Sequence, residues 1–237
     1  MLGRDCPDTM DGDSLRERLS RARLMLILSP ELCGERDPLA VAATVLPHVD
    51  AIQVRPKATS TGGSVPATSH ARPTFELALG VLELASAIAD PPLVLVNDRV
   101  DVALALTERG VAGVHLGQDD LPPADARALL GPDPLIGLST HCAADVVRAG
   151  ELPVDYLGFG PLFATATKGY ARGVGPEAAW VATAAAGVPL FAIGGITRER
   201  LTELHPGARV AVAGAILGAD DPEASARALR VLLDQTK

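Results

Sequence analysis

Two acidic segments of this chain lie where α/β proteins commonly do chemistry. The apolar run 93–96 is followed by Asn97, Asp98 and Arg99, and the run 113–116 by Gly117, Gln118, Asp119 and Asp120. Each run has the length of a buried parallel strand, and residues 100–109 between them carry apolar side chains at helical spacing. A strand–helix–strand unit of this kind puts both acidic ends on one rim. Mg²⁺ takes one or two protein carboxylates and completes its octahedron with water and substrate phosphate, so the pair is a candidate Mg²⁺ site. The competing reading makes Asp98, and Asp119 with Asp120, helix caps. A lone Asp favours the cap; acids on adjacent strand ends favour the metal.

Cations share that rim. Arg55 ends the run 51–55 with Lys57 just past it, and Lys168 ends the loop Thr165-Ala166-Thr167-Lys168. Arg offers a bidentate fork to phosphate oxygens and Lys a mobile point charge. Facing a carboxylate-bound cation, they are the equipment for holding a diphosphate and stabilising it as a leaving group. Gly194-Gly195 and Ala213-Gly214 end two later apolar runs, where small residues let an oxyanion reach backbone N–H groups. Ser139 and His141 end another. His115 reads as packed or solvent-facing, Cys142 as an inert thiol, and Arg99, Arg109 and Arg127 as solvated charges. No Ser–His–acid order is legible, so nucleophilic hydrolysis is not expected.

The elements that must position these groups alternate regularly. Strands are expected at 24–28, 51–55, 93–96, 113–116, 135–138, 156–159, 189–193 and 208–212. Helices are expected over 37–48, 74–89, 100–109, 122–130 and 143–149, and from Pro176, Thr197 and Asp221-Pro222. Eight such units favour closure into a single (β/α)8 TIM barrel over an open doubly wound sheet, and 237 residues match the size of about 250 typical of that fold. Catalytic groups then belong at the carboxyl ends of the strands, with a phosphate cradle after strands seven and eight. Ser14 and Glu17 match a capping box, which predicts a short extension helix over 14–23. Residues 1–12 read as a mobile tail and 13–237 as one catalytic domain. The aperiodic segment 58–73 carries His70 and Arg72 and no acid, and reads equally as a lid over an anion or a floppy insertion.

The totals limit the partners. With 48% apolar but only 3% aromatic residues, the core must be built from Val, Leu, Ile and Ala. A net charge of -8 argues against a nucleic-acid backbone or an anionic membrane as partner. No apolar run is long enough to span a bilayer, and the opening residues lack the apolar segment of a secretory signal. Cys6, Cys33 and Cys142 are scattered and read as reduced thiols in a cytoplasmic protein.

Taken in order, Gln53-Val54-Arg55-Pro56-Lys57, Asn97-Asp98-Arg99, His115 to Asp120, Gly137 to His141, Gly158-Phe159-Gly160-Pro161, Thr165 to Lys168 and Ile193-Gly194-Gly195-Ile196 resemble the thiamine phosphate synthase family. The resemblance implies a transferase that joins hydroxymethylpyrimidine diphosphate to a thiazole phosphate and releases diphosphate by a dissociative, Mg²⁺-assisted substitution. It implies Asp98 and Asp120 as Mg²⁺ ligands. It gives the pyrimidine diphosphate to Gln53, Arg55, Lys57, Asn97, Ser139 and Lys168, with Arg55, Ser139 and Lys168 closest to the chemistry. It gives the thiazole phosphate to Thr165, Ala166, Thr167, Gly195, Ala213 and Gly214. Pro56, the long segment 58–73 and Ala164 depart from the family's pattern. The alternatives are a thiazole tautomerase-like isomerase and a catalytically silent phosphate-ligand sensor on the same barrel. The partners implied are small molecules, with a homo-oligomer left open.

Overall fold

The computed structural model describes residues 11–56, 71–164 and 172–236. Eight strands, β1 (Leu24–Leu28), β2 (Ala51–Val54), β3 (Leu93–Asn97), β4 (Val111–Leu116), β5 (Leu135–Thr140), β6 (Tyr156–Phe159), β7 (Leu190–Ile193) and β8 (Arg209–Val212), pair in parallel and in chain order, and β8 closes on β1. The expected barrel is thus observed, with strand boundaries within about two residues of those read from the periodicity.

Side-chain alternation along the strands divides the core. Leu24, Leu26 and Leu28 of β1, Ile52 and Val54 of β2, and Val94 and Val96 of β3 face outward into a large aliphatic layer beneath the helices. Met25, Ala51, Leu93, Leu95, Leu135, Tyr156, Phe191 and Ala211 fill the barrel interior. The surrounding helices are α2 (Pro38–Val45), α3 (Ala71–Ala85), α4 (Val100–Leu106), α5 (Pro123–Leu130), α6 (Ala143–Ala149), α7 (Pro176–Ala185), the single turns α8 (Arg198–Leu201) and α9 (Gly214–Leu217), and α10 (Pro222–Gln235).

The extension helix, α1 (Gly12–Arg21), sends Leu15 and Leu19 into the interior cluster and so seals the amino end of the barrel. Its start corrects the capping-box expectation. Ser14 lies inside the helix and donates its backbone N–H to Asp11 Oδ1 at 2.7 Å, making Asp11 the cap. An Asp three residues earlier takes the orphan amide of Ser14 itself, so the serine lies past the cap position. Residues 1–10 of the expected tail lie outside the described residues. α3 begins three residues before the expected Thr74, so the last part of the 58–73 segment is helical; residues 57–70 lie outside the description.

Candidate active site

The carboxyl ends of the strands surround a cavity of about 440 Å³. Gln53, Arg55, Asn97 and Ser139 line one side, from β2, β3 and β5. Gly194, Gly195, Ala213 and Gly214 line the other, after β7 and β8. The described residues assigned to the substrates are therefore brought to one cavity. Lys57, Thr165, Ala166, Thr167 and Lys168 lie outside the described residues.

On the first side, β-register sets the geometry. Gln53 is an inward residue of β2 and is buried, while Arg55 sits one step beyond the strand, its N–H donating to Leu28 O at 2.9 Å. Ser139 faces inward near the end of β5. Its backbone carbonyl accepts from the Gln118 side chain and its Oγ lies 2.9 Å from His115 Nε2. His115 Nδ1 in turn lies 3.1 Å from the Tyr156 hydroxyl. Both rings are buried, His115 at 8% and Tyr156 at 1% exposure. Room for the phenol comes from Gly137, where a Cβ would stand 2.1 Å from Tyr156 Cζ. Of the two roles expected for His115, packed or solvent-facing, the structure shows the packed one, and the ring also joins a polar network under the cavity. Its signal was parity, since Val114 and Leu116 are both outward residues. His141 also lines the cavity, with Nδ1 2.6 Å from Gly160 O.

The opposite side is a glycine cradle. Gly194 and Gly195 have φ of +99° and +65°, a left-handed turn that β-carbons oppose. A Cβ on Gly195 would meet Ala164 O at 2.7 Å. Arg200, from α8, also lines this side; it donates to Gly195 O at 2.8 Å and lies 4.9 Å from the centre of the Phe163 ring. A single-turn helix leaves no periodicity, and Arg200 was not legible in the sequence. Tyr156 was also missed, although Leu157 and Phe159 as outward residues fix its inward position.

The two acids stand at exposed positions beyond the lining. Asp98 follows β3 with φ of +61°, its N–H donating to His115 O at 2.8 Å. Asp is among the few non-glycine residues that tolerate this region. Asp120 follows β4 and its Oδ2 accepts from Gly117 N at 2.7 Å. Neither is a helix cap: Arg99 occupies that position for α4 and Pro122 for α5. Among the described residues no three of His, Cys, Asp and Glu form a complete protein cage. Two carboxylates on adjacent strand ends fit Mg²⁺, which keeps water and phosphate oxygens in its shell.

Fold and cavity together define a (β/α)8-barrel protein whose polar pocket opens at the carboxyl ends of its strands. The chain belongs to the thiamine monophosphate synthase family, whose model matches residues 24–216. It is 40% identical over 224 residues to a thiamine-phosphate synthase of Albidiferax ferrireducens, covering 92% of this chain and 94% of the relative. It is 38% identical over 221 residues to one from Synechococcus sp. (strain CC9311), where it covers 90% of this chain and 58% of the longer relative. The thiamine phosphate pyrophosphorylase structure from Pyrococcus furiosus superposes with a TM-score of 0.73 at 27% identity, covering 94% of this chain and 98% of that one. No helix among the described residues is long and apolar enough to cross a membrane.

Proposed function

We propose that this chain joins a hydroxymethylpyrimidine diphosphate to a thiazole phosphate, forming thiamine phosphate and diphosphate. One observation carries the reading: a single cavity has Arg55, Gln53, Asn97 and Ser139 on one side and a glycine cradle on the other, so two anionic substrates can meet between them. Family membership supports it, and neither the isomerase nor the silent sensor finds support among the relatives.

In this reading Arg55 and Ser139 hold the diphosphate end of the pyrimidine substrate, aided by Gln53, Asn97, Lys57 and Lys168. The thiazole phosphate rests on backbone N–H groups about Gly195, Ala213 and Gly214, and the family resemblance assigns Thr165, Ala166 and Thr167 to the same phosphate. The carbon–oxygen bond to the diphosphate breaks first, and the leaving group departs with the electron pair. The thiazole nitrogen then donates its lone pair to the exposed methylene carbon. The protein positions two partners and stabilises a departing anion, and no covalent enzyme intermediate is required. Asp98 and Asp120 would hold Mg²⁺, which when bound neutralises charge developing on the leaving diphosphate. A cytoplasmic setting, expected from the scattered cysteines, belongs to the same proposal.

Diphosphate release by the purified chain, with each substrate and Mg²⁺ omitted in turn, tests this. Release matched by thiamine phosphate formation, and only in the complete mixture, is the expected result. Isomerisation of the thiazole phosphate without diphosphate release would assign the chain to the tautomerase reaction instead.

A further inference from the structure

The polar network beneath the cavity has a direction. Tyr156 is buried among strand side chains, and its hydroxyl lies 3.1 Å from His115 Nδ1. Burial pushes the phenol pKa up, so Tyr156 stays protonated and keeps a hydrogen to donate. His115 Nδ1 is within reach of that hydrogen. A neutral imidazole that accepts at Nδ1 carries its hydrogen on Nε2. Nε2 lies 2.9 Å from Ser139 Oγ and therefore donates to it.

We infer that Tyr156, His115 and Ser139 form a one-way hydrogen-bond relay that makes Ser139 a donor into the cavity. With its oxygen already accepting from His115, the serine hydroxyl turns its hydrogen toward the substrate. The opposite polarity would turn that hydrogen back onto His115 and present the cavity with lone pairs, which repel an anion. Resting on the proposed diphosphate chemistry, the relay makes Tyr156 and His115 positioning residues: neither need touch substrate, and both act by setting what Ser139 offers.

The tautomer of His115 decides the matter. Long-range ¹⁵N–¹H spectra of ¹⁵N-histidine-labelled enzyme without substrate, near pH 8.5 where an ordinary imidazole is neutral, distinguish the two forms, and His115→Asn identifies the signal among the five histidines. The expected result is Nε2–H in the wild type, with Tyr156→Phe shifting His115 toward Nδ1–H. The same variant should lower kcat roughly tenfold or more while the KM for thiazole phosphate stays within about twofold. An Nδ1–H tautomer in the wild type, or a Tyr156→Phe enzyme that keeps both Nε2–H and full kcat, would overturn the relay. The wild-type spectrum decides the polarity even if Tyr156→Phe fails to fold. A wild type that releases no diphosphate defeats the functional proposal and leaves the tautomer readout intact.

Discussion

At the amino end of the barrel, Asp155 is side-chain buried and takes Arg16 at 2.7 Å, Arg127 at 2.6 Å and the Ile136 N–H at 2.8 Å. Asp50 there accepts from the N–H groups of Arg23 and Leu24 and pairs with Arg230 at 2.7 Å, and Arg18 binds the Pro91 carbonyl. At the carboxyl end, Asp98 and Asp120 are exposed, Asp98 and Gly194-Gly195 adopt left-handed backbone, and a cavity opens at the strand ends. The same residue types thus serve two purposes. Below, each carboxylate is matched by guanidinium and amide donors and α1 closes the end. Above, acids and small residues stand where a ligand can reach them, and left-handed backbone at Asp98 stores strain that stability alone does not require.

Substitutions at the two ends should therefore separate activity from stability. Asp98→Asn keeps a side chain that tolerates positive φ and removes its charge. Turnover should fall about a hundredfold or more with the melting temperature unchanged, as steady-state assay and thermal melt will show. Asp155→Ala should do the reverse. It leaves two guanidinium groups and an amide without their shared acceptor, for a loss of about 2–3 kcal/mol and a melt lowered by roughly 5–10 °C, with kcat per folded molecule unchanged.

Two smaller effects sharpen the contrast. Gly195→Ala puts a Cβ 2.7 Å from Ala164 O at a φ of +65°, a strain of about 1–2 kcal/mol. It should raise the KM for thiazole phosphate about tenfold while that for the pyrimidine diphosphate holds. Asp101 is a pH control from the exposed side of α4. Its hydrogen bond with Arg99 holds the carboxyl below its ordinary pKa, so its contribution is present at neutral pH and is lost as pH falls through that lowered pKa. Because the pair is solvent-exposed, Asp101→Asn should change neutral-pH denaturant stability by less than about 0.5 kcal/mol, and the difference from wild type should vanish in acid.

The barrel was legible because outward and inward residues alternate along the strands, apart from a bulge in β4, while the helices carry longer periods: Leu24, Leu26 and Leu28 against Met25 is the pattern in miniature. The cradle was legible because Gly194-Gly195 falls after the seventh strand, where fold rules place an anion. The start of α1 was not, since Asp11 and Ser14 are equally good caps and only tertiary packing chooses between them. Arg200 was hidden by the shortness of α8. The direction of His115 was left open, although the parity of Val114 and Leu116 turns it inward, toward Ser139 and Tyr156. Side-chain networks that cross strands 24 and 41 residues apart leave no local sequence trace.

The decisive observation is a crystal structure of the chain grown with Mn²⁺ in place of Mg²⁺ and with inorganic diphosphate, using anomalous scattering to locate the ion. An anomalous peak held by the carboxylates of Asp98 and Asp120, with diphosphate oxygens reaching Arg55 and Ser139, is the expected result. Ordered diphosphate bound away from that rim, or an ion that touches neither carboxylate, would contradict it.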